Sequence, residues 1–291
     1  MYEICCIGHI TLDKVVNTNG TKHMAGGTSY YFSKALRHMD DLAYGLITAV
    51  GSAEITVVDG LREEGIMVQV HNSAHSVYFE NIYSQNQDHR TQRVLQKADP
   101  FTVVHLQEVE AQTFHLGPLL ADDIAPDVIP YLAAKGQVSL DVQGYLRKVE
   151  NYEVHAIDWS AKKELLKYVH ILKANEYELE VLTGSSNIRE GALILAGWGI
   201  KEVVITLGSM GSVIYADGSF FTIPAYPPTA VTDATGCGDT YMAGYLYQRA
   251  KGVTIQQAGE FAAAMASLKI AASGPFTGTK DDVLAFLTLN R

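Results

Sequence analysis

Short apolar runs recur along the chain, and the stretches between them carry apolar residues every three or four positions. The runs at Glu3–Gly8, Ala43–Thr48, Thr113–Leu116, Gln137–Asp141, His170–Lys173 and Val203–Leu207 predict buried strands. Helical spacing fills Ser29–Met39, Ile124–Ala134, Ala161–Lys167 and Ile188–Gly197. Strands alternating with helices predict crossover units: an α/β architecture of three layers, with a mostly parallel sheet covered on both faces. From Asp239 the pattern changes to three successive helices, Asp239–Lys251, Thr254–Ala272 and Lys280–Leu289. The middle one carries the small-residue stripe Phe261–Ala266, suited to close packing against a sheet.

Two segments break the alternation. Leu12–Asn17 and Val68–Leu95 are rich in β-branched and aromatic residues and contain no helical spacing. Within the second, Val77–Tyr83, a polar turn at Gln85–Arg90 and Thr91–Gln96 predict an antiparallel pair. Two insertions into one domain spanning 1–291 predict a small sheet built from about residues 12–25 and 68–96. Its expected place is over the crevice beyond the strand C-termini, where α/β proteins bind ligands. It is therefore expected to act as a lid. Its exposed edges make pairing into a homodimer an expectation.

Composition narrows the function. The 291 residues include 22 Lys plus Arg against 32 Asp plus Glu, a net charge of −10. With no basic block, the chain is a poor partner for nucleic acid or an anionic membrane surface. A small anion remains compatible, because a few backbone N–H groups and one or two cations hold a phosphate locally. No apolar stretch approaches the ~20 residues that span a bilayer. Met1–Gly8 carries Glu3 where an export signal needs a base, so it is expected to be a first buried strand. Three cysteines, two of them adjacent, suit neither a disulfide framework nor a zinc site, and a reducing cytoplasm is the expected location.

The strongest chemical signal is Val231–Thr240, which runs directly into a helix. Gly236 and Gly238 allow a tight turn that exposes successive N–H groups, and the helix adds its unpaired donors and positive dipole end. Such a concavity suits a phosphoryl group in transfer. Asp239 at its mouth repels phosphate, so its useful role is as the base that deprotonates an attacking hydroxyl. A plain turn with Asp239 as helix N-cap is the bland alternative for a bare Gly-x-Gly-Asp, and the ten-residue context outweighs it. The Cys237 thiol, at a helix N-terminus, is expected to have its thiolate favoured.

Asp-Ala-Thr-Gly-Cys-Gly-Asp-Thr at 233–240 closely resembles the signature Asp-Thr-x-Gly-Ala-Gly-Asp-Thr of the ribokinase-like (PfkB-type) carbohydrate and nucleoside kinases. Further landmarks follow in family order over nearly the whole chain. Gly8 and Asp13 resemble the opening strand and the acid that grips sugar hydroxyls. Gly26-Gly27 resembles the glycine pair under the substrate, Asn175–Glu178 the Asn-x-x-Glu motif, and Thr206–Gly211 the Thr-x-Gly-x-x-Gly motif. The resemblance implies transfer of the γ-phosphoryl group of ATP to an alcohol, with Asp239 as base. It implies an anion hole at Gly236, Cys237 and Gly238, and nucleotide contacts at Thr206, Gly208, Gly211 and Asn175.

Asn175 and Glu178 follow a buried strand, where they can order waters around Mg²⁺. A capping pair on a surface helix is the structural alternative. For Thr206, Gly208 and Gly211 the alternative is a hairpin turn, and both can hold at once. Asp233 and Thr235 are candidates for a monovalent cation such as K⁺, as in some members. Arg147, in a loop that resembles a family substrate loop, and Arg93, in the lid, are candidates to reach the substrate; a solvated surface role is the alternative for each. Tyr31 stands where the family commonly carries Asn. Its ring could stack on a sugar face or a nucleobase, or belong to the helix core. The substrate is thus expected to be a sugar, a cyclic polyol such as inositol, or a nucleoside. The nucleoside is favoured if Tyr30, Tyr31, Tyr78 or Phe79 line a flat slot. An idle sugar or nucleotide sensor is the non-catalytic alternative.

Overall fold

The computed structural model describes residues 1–17, 20–83 and 90–290. The chain opens with β1 (Tyr2–Ile7), β2 (Thr11–Asn17), β3 (Gly20–Gly26) and α1 (Thr28–Leu36). Next come β4 (Tyr44–Val50), α2 (Ile55–Glu63), β5 (Met67–Asn72), β6 (Val77–Tyr83) and β7 (Arg90–Gln96). The middle holds β8 (Ala111–Leu116), α3 (Val128–Ala133), β9 (Gln137–Asp141), β10 (Arg147–Glu150) and β11 (Glu153–Ala156). Then follow α4 (Lys162–Leu166), β12 (Ile171–Asn175), α5 (Glu176–Thr183), α6 (Ile188–Gly197), β13 (Glu202–Thr206), β14 (Ser212–Ala216) and β15 (Ser219–Ile223). Helices α7 (Cys237–Ala250), α8 (Ile255–Ile270) and α9 (Lys280–Leu289) close the fold.

Nine strands form the larger sheet in the order β15-β14-β13-β12-β9-β8-β1-β4-β5. All neighbours from β13 to β5 run parallel, and β14 and β15 add an antiparallel edge. The alternation of β1 explains why its apolar run is continuous. Ile4 and Cys6 enter the core that holds α1, α7 and α8, whereas Cys5 and Ile7 enter the opposite core with Leu132, Leu179 and Leu195. The sheet is therefore covered on both faces, as the sequence pattern requires. Among the described residues no helix is long and apolar enough to cross a membrane.

The second sheet has the order β10-β11-β7-β6-β2-β3 and differs from expectation in two ways. Residues 67–72 do not join it. β5 pairs parallel with β4, because α2 supplies the crossover between them, so the second insertion starts at Val77. The hairpin β10–β11 contributes two strands the sequence pattern did not suggest. Its eight strand residues include few large apolar side chains, and its turn needs positive φ at Asn151 (49°) and Tyr152 (68°). The turn expected at Gln85–Arg90 lies, through residue 89, outside the described residues. Val77, Phe79 and Val94 pack on Leu119 and Leu120, which follow β8, and this anchors the small sheet at the C-terminal edge of the large one.

Candidate active site

Two helix N-termini converge at that edge. Gly236 is the N-cap of α7, with φ 75°, and a side chain there would run into the Tyr31 ring. Asp239 lies in the first turn of α7, half-buried, and the Thr28 side chain of α1 bonds to it. Burial pushes the Asp239 carboxyl up to about 6, and the charge of Asp141 adds to this; Lys173, Thr28 and Arg147 pull the other way. A carboxyl poised there ionises near neutrality yet remains basic enough to accept a proton.

Lys173, from β12, is 6% exposed, and its Nζ lies 2.9 Å from Asp141 Oδ2 at the end of β9. Burial opposes its charge, but the carboxylates of Asp141, Glu178 and Asp239 overcome this and raise its pKa. Glycine at 238 leaves space for this ammonium; a Cβ there would stand 3.2 Å from Nζ. The Cys237 N–H donates to Ala234 O at 3.2 Å and the Thr240 N–H to Gly236 O at 2.9 Å. In the first turn of α7, the donors left for an anion are those of Gly238 and Asp239.

Asn175 and Glu178 form a reciprocal capping box on α5. Asn175 Oδ1 accepts the Glu178 N–H, and Glu178 Oε2 accepts the Asn175 N–H, each at 2.8 Å. The capping alternative is thus realised, though not on the surface: Glu178 is 8% exposed. Burial raises its carboxyl, opposed by Lys173 and reinforced by Asp141. Thr206 is the sheet partner of both Asn175 and Ser212. Gly208 (φ 57°) and Gly211 (φ 90°) turn β13 into β14, so the hairpin reading also holds. A cavity of about 410 Å³ is lined by Asn175 and Glu178 at the start of α5 and by Gln92, Arg147, Val154 and Ala156 of the small sheet. Arg147 Nη2 donates to Gln143 Oε1 at 2.8 Å, and its charge lowers both Asp239 and Glu178.

On the acceptor side, Asp13 Oδ1 accepts a bond from Thr11 Oγ1 at 2.7 Å. A side chain at Gly26 would collide with the Asp13 carboxylate, and one at Gly27, φ 88°, with His9 O. The glycine pair is what lets β3, β2 and α1 meet at this acid.

Comparison with known proteins places the chain among its relatives. Residues 138–282 match the model of the pfkB family carbohydrate kinases. Over 270 residues the chain is 26% identical to a cytidine kinase of Thermococcus kodakarensis, covering 88% of this chain and 92% of that one. It is 33% identical over 135 residues to a ribokinase of Arabidopsis thaliana, covering 44% and 36%. Among solved structures, a pyrophosphate-dependent kinase in the ribokinase family, complexed with a pyrophosphate analog and myo-inositol, superposes with a TM-score of 0.86. It is 28% identical, with 97% of this chain and 99% of that one covered. The chain belongs to the ribokinase-like PfkB family. It is accordingly a kinase with the ribokinase fold.

Within this PfkB-family site, Tyr31 takes the helix-core role and Arg93 the surface role of the two left open for each. Tyr31 is 2% exposed, with its ring packed beneath Gly236, so neither face is open for stacking. Its hydroxyl has no hydrogen-bond partner among the described residues, and its pKa is raised by burial and then by Asp233, Asp13 and Asp239. Arg93 is not brought to the site. Asp13, Phe79 and Val94 are cross-strand partners on one face, whereas Arg93 pairs with Glu80 on the other. There it bonds Glu80 at 3.2 Å and lies 5.7 Å over the Tyr152 ring.

The Cys237 thiol departs from expectation. Burial pushes it up to about 11, and its Sγ lies 3.9 Å from Ala266 O of α8 rather than in the anion hole. Desolvation outweighs the local positive potential. Wild-type enzyme should therefore resist thiol alkylation at pH 7, and Cys237→Ala should remain active. Rapid modification mapped to Cys237 would contradict this placement.

Three contributors escaped the sequence reading: Lys173, Thr28 and Lys269. Lys173 alone had a signal, a lysine inside an otherwise apolar strand two residues before Asn175. Lys269 is 1% exposed and donates to Asp233 O at 2.6 Å, while Asp233 accepts N–H bonds from Thr235 and Gly274. Burial opposes ionisation of Asp233, but these bonds and the Lys269 charge hold it below the usual carboxylate range.

Proposed function

We propose that the enzyme transfers the γ-phosphoryl group of ATP to a hydroxyl of a sugar or polyol, with Asp239 as general base. The observation that carries the reading is the position of Asp239. It is a carboxyl raised to about 6, at the mouth of a helix N-terminus, with Lys173 and Arg147 acting on it. The acceptor hydroxyl, gripped by Asp13, gives its proton to Asp239 as its oxygen bonds to the γ-phosphorus. The bond to the leaving ADP oxygen breaks, and the first-turn N–H groups of α7 face the developing charge. The small sheet covers the acceptor as a lid.

Mg²⁺ fits the donor set. The carboxylates of Glu178, Asp141 and Asp239 outnumber the two nearby cations, Lys173 and Arg147, and burial disfavours the Glu178 charge until a further cation arrives. Glu178 and Asn175 would hold the ion through water; when bound, it would neutralise phosphate charge. Glu178→Gln should raise the Mg²⁺ needed for half-maximal rate about 10-fold at fixed ATP. An unchanged Mg²⁺ titration would leave Glu178 with its capping role alone.

Three observations bear on the acceptor. Tyr31 and Phe79 are buried, Tyr30 is half-buried with its ring edge-on to Tyr31, and Tyr78 lies on the far face bonded to His23, which disfavours a flat slot for a nucleobase. The likeness to a myo-inositol complex supports a cyclic polyol. The cytidine kinase relative favours the second reading, a nucleoside acceptor. The same solved structure makes pyrophosphate the alternative donor. A product assay crossing ATP and pyrophosphate with sugars, cyclic polyols and nucleosides tests all of these. Phosphorylation of a sugar or polyol from ATP is expected. Transfer to nucleosides alone, or from pyrophosphate alone, would replace the corresponding half of the reading. Binding without transfer in every combination would make the chain a sensor.

A further inference from the structure

The loop that presents Asp239 is sewn to the C-terminal end of α8. The Thr232 and Asp233 N–H groups donate to Ile270 O at 2.9 and 3.2 Å, and Thr232 Oγ1 donates to Ala271 O at 3.0 Å. This junction concentrates negative character. It gathers the Asp233 carbonyl, the Asp233 carboxylate and the electronegative end of a sixteen-residue helix. Such a cradle suits a cation, and the sequence makes Asp233 and Thr235 candidates for a dissolved monovalent ion.

The residues present do not fit one, because the cradle already holds a charge. Lys269 projects from the last turn of α8 with its side chain fully buried. Its Nζ lies 2.6 Å from Asp233 O, 3.5 Å from Asp233 Oδ2 and 5.8 Å over the Tyr31 ring. Carbonyl, carboxylate and aromatic face together give an ammonium the coordination an alkali ion would seek. The Tyr31 ring in turn packs against Gly236, the N-cap that launches α7 and Asp239.

We propose that the Lys269 ammonium is an intramolecular monovalent cation that braces residues 233–238 in the phosphoryl-binding shape, so that the enzyme needs no K⁺. Lys269 acts through Asp233 and Tyr31 and touches no reacting atom, so it is a positioning residue. Removing it leaves a carbonyl and a carboxylate short of a positive partner, in a cavity that a dissolved ion can enter.

The test compares K⁺ with tetramethylammonium at equal ionic strength, for wild type and Lys269→Met. The activity arm rests on the kinase reading; the melting arm does not, so failure of one is distinguishable from failure of the other. Wild-type rate and melting temperature should be the same in both salts. Lys269→Met should lose about 10²-fold in kcat in tetramethylammonium through displacement of the loop. K⁺ should restore much of that loss, with the acceptor KM little changed, and should raise the variant's melting temperature. If Lys269→Met does not fold, Lys269→Gln takes its place and the wild-type comparison still decides. A wild type activated several-fold by K⁺, or a folded variant indifferent to K⁺ in both rate and melting, would overturn the proposal.

Discussion

Asp239→Asn is expected to lower kcat by about 10²–10⁴-fold, the usual contribution of a positioned general base. The amide keeps the shape and can still accept the Thr28 bond, but it cannot take a proton from the acceptor. Nucleotide affinity should persist or rise slightly, because a negative charge beside the phosphates is removed. Stability should move the opposite way from activity. The folded state holds the Asp239 carboxyl at about 6, above its ordinary 3.8, so ionising it costs folding free energy as pH rises between these values. Asparagine escapes that cost. The variant should melt higher than wild type above pH 6, and the difference should vanish below about pH 4. Retention of more than about a tenth of wild-type kcat, with chemistry limiting, would remove Asp239 from the role of base.

Lys173→Met is expected to have the largest effect on stability. The lysine and Asp141 are almost fully buried and 2.9 Å apart. Breaking a buried pair from one side costs about 3–5 kcal/mol, because the remaining charge stays desolvated without its partner. Here the deficit is shared, since the same ammonium also faces Glu178 and Asp239. Denaturant unfolding measures this loss, and adding Asp141→Asn should recover part of it. A coupling between the two substitutions below about 0.5 kcal/mol would mean that the pair is not the source of the loss. The catalytic effect is separable. Lys173 is a group that lowers Asp239, so its removal should shift the acid limb of the rate profile to higher pH.

The parts of the fold that the sequence made legible are those whose burial writes a pattern. Parallel strands such as Val203–Leu207 are apolar on both faces, and the three C-terminal helices keep their period. What escaped was structure whose reason lies elsewhere in the chain. β10 and β11 carry charged residues because one face of the small sheet meets solvent, and only their pairing with β7 makes them strands. β5 resembled a lid strand until α2 carried it to the edge of the large sheet. The site divides in the same way. Asp239, Gly236 and Gly238 announce themselves by spacing within ten residues. The groups that set the Asp239 proton affinity come from α1, β9, β12 and the first residue of β10, and no local spacing joins them. Cys237 shows the limit of a local argument. Its helix N-terminus favours a thiolate, but packing against α8 disfavours it more.

The most direct measurement is the pH dependence of kcat/KM, taken under conditions where phosphoryl transfer limits, for wild type and Asp239→Asn side by side. Wild type should lose activity tenfold per pH unit below an apparent pKa of about 6, as the base protonates. The residual activity of Asp239→Asn should lack that limb. A wild-type profile flat down to pH 5, or a limb near 6 that survives in Asp239→Asn, would contradict the assignment of Asp239 as the base.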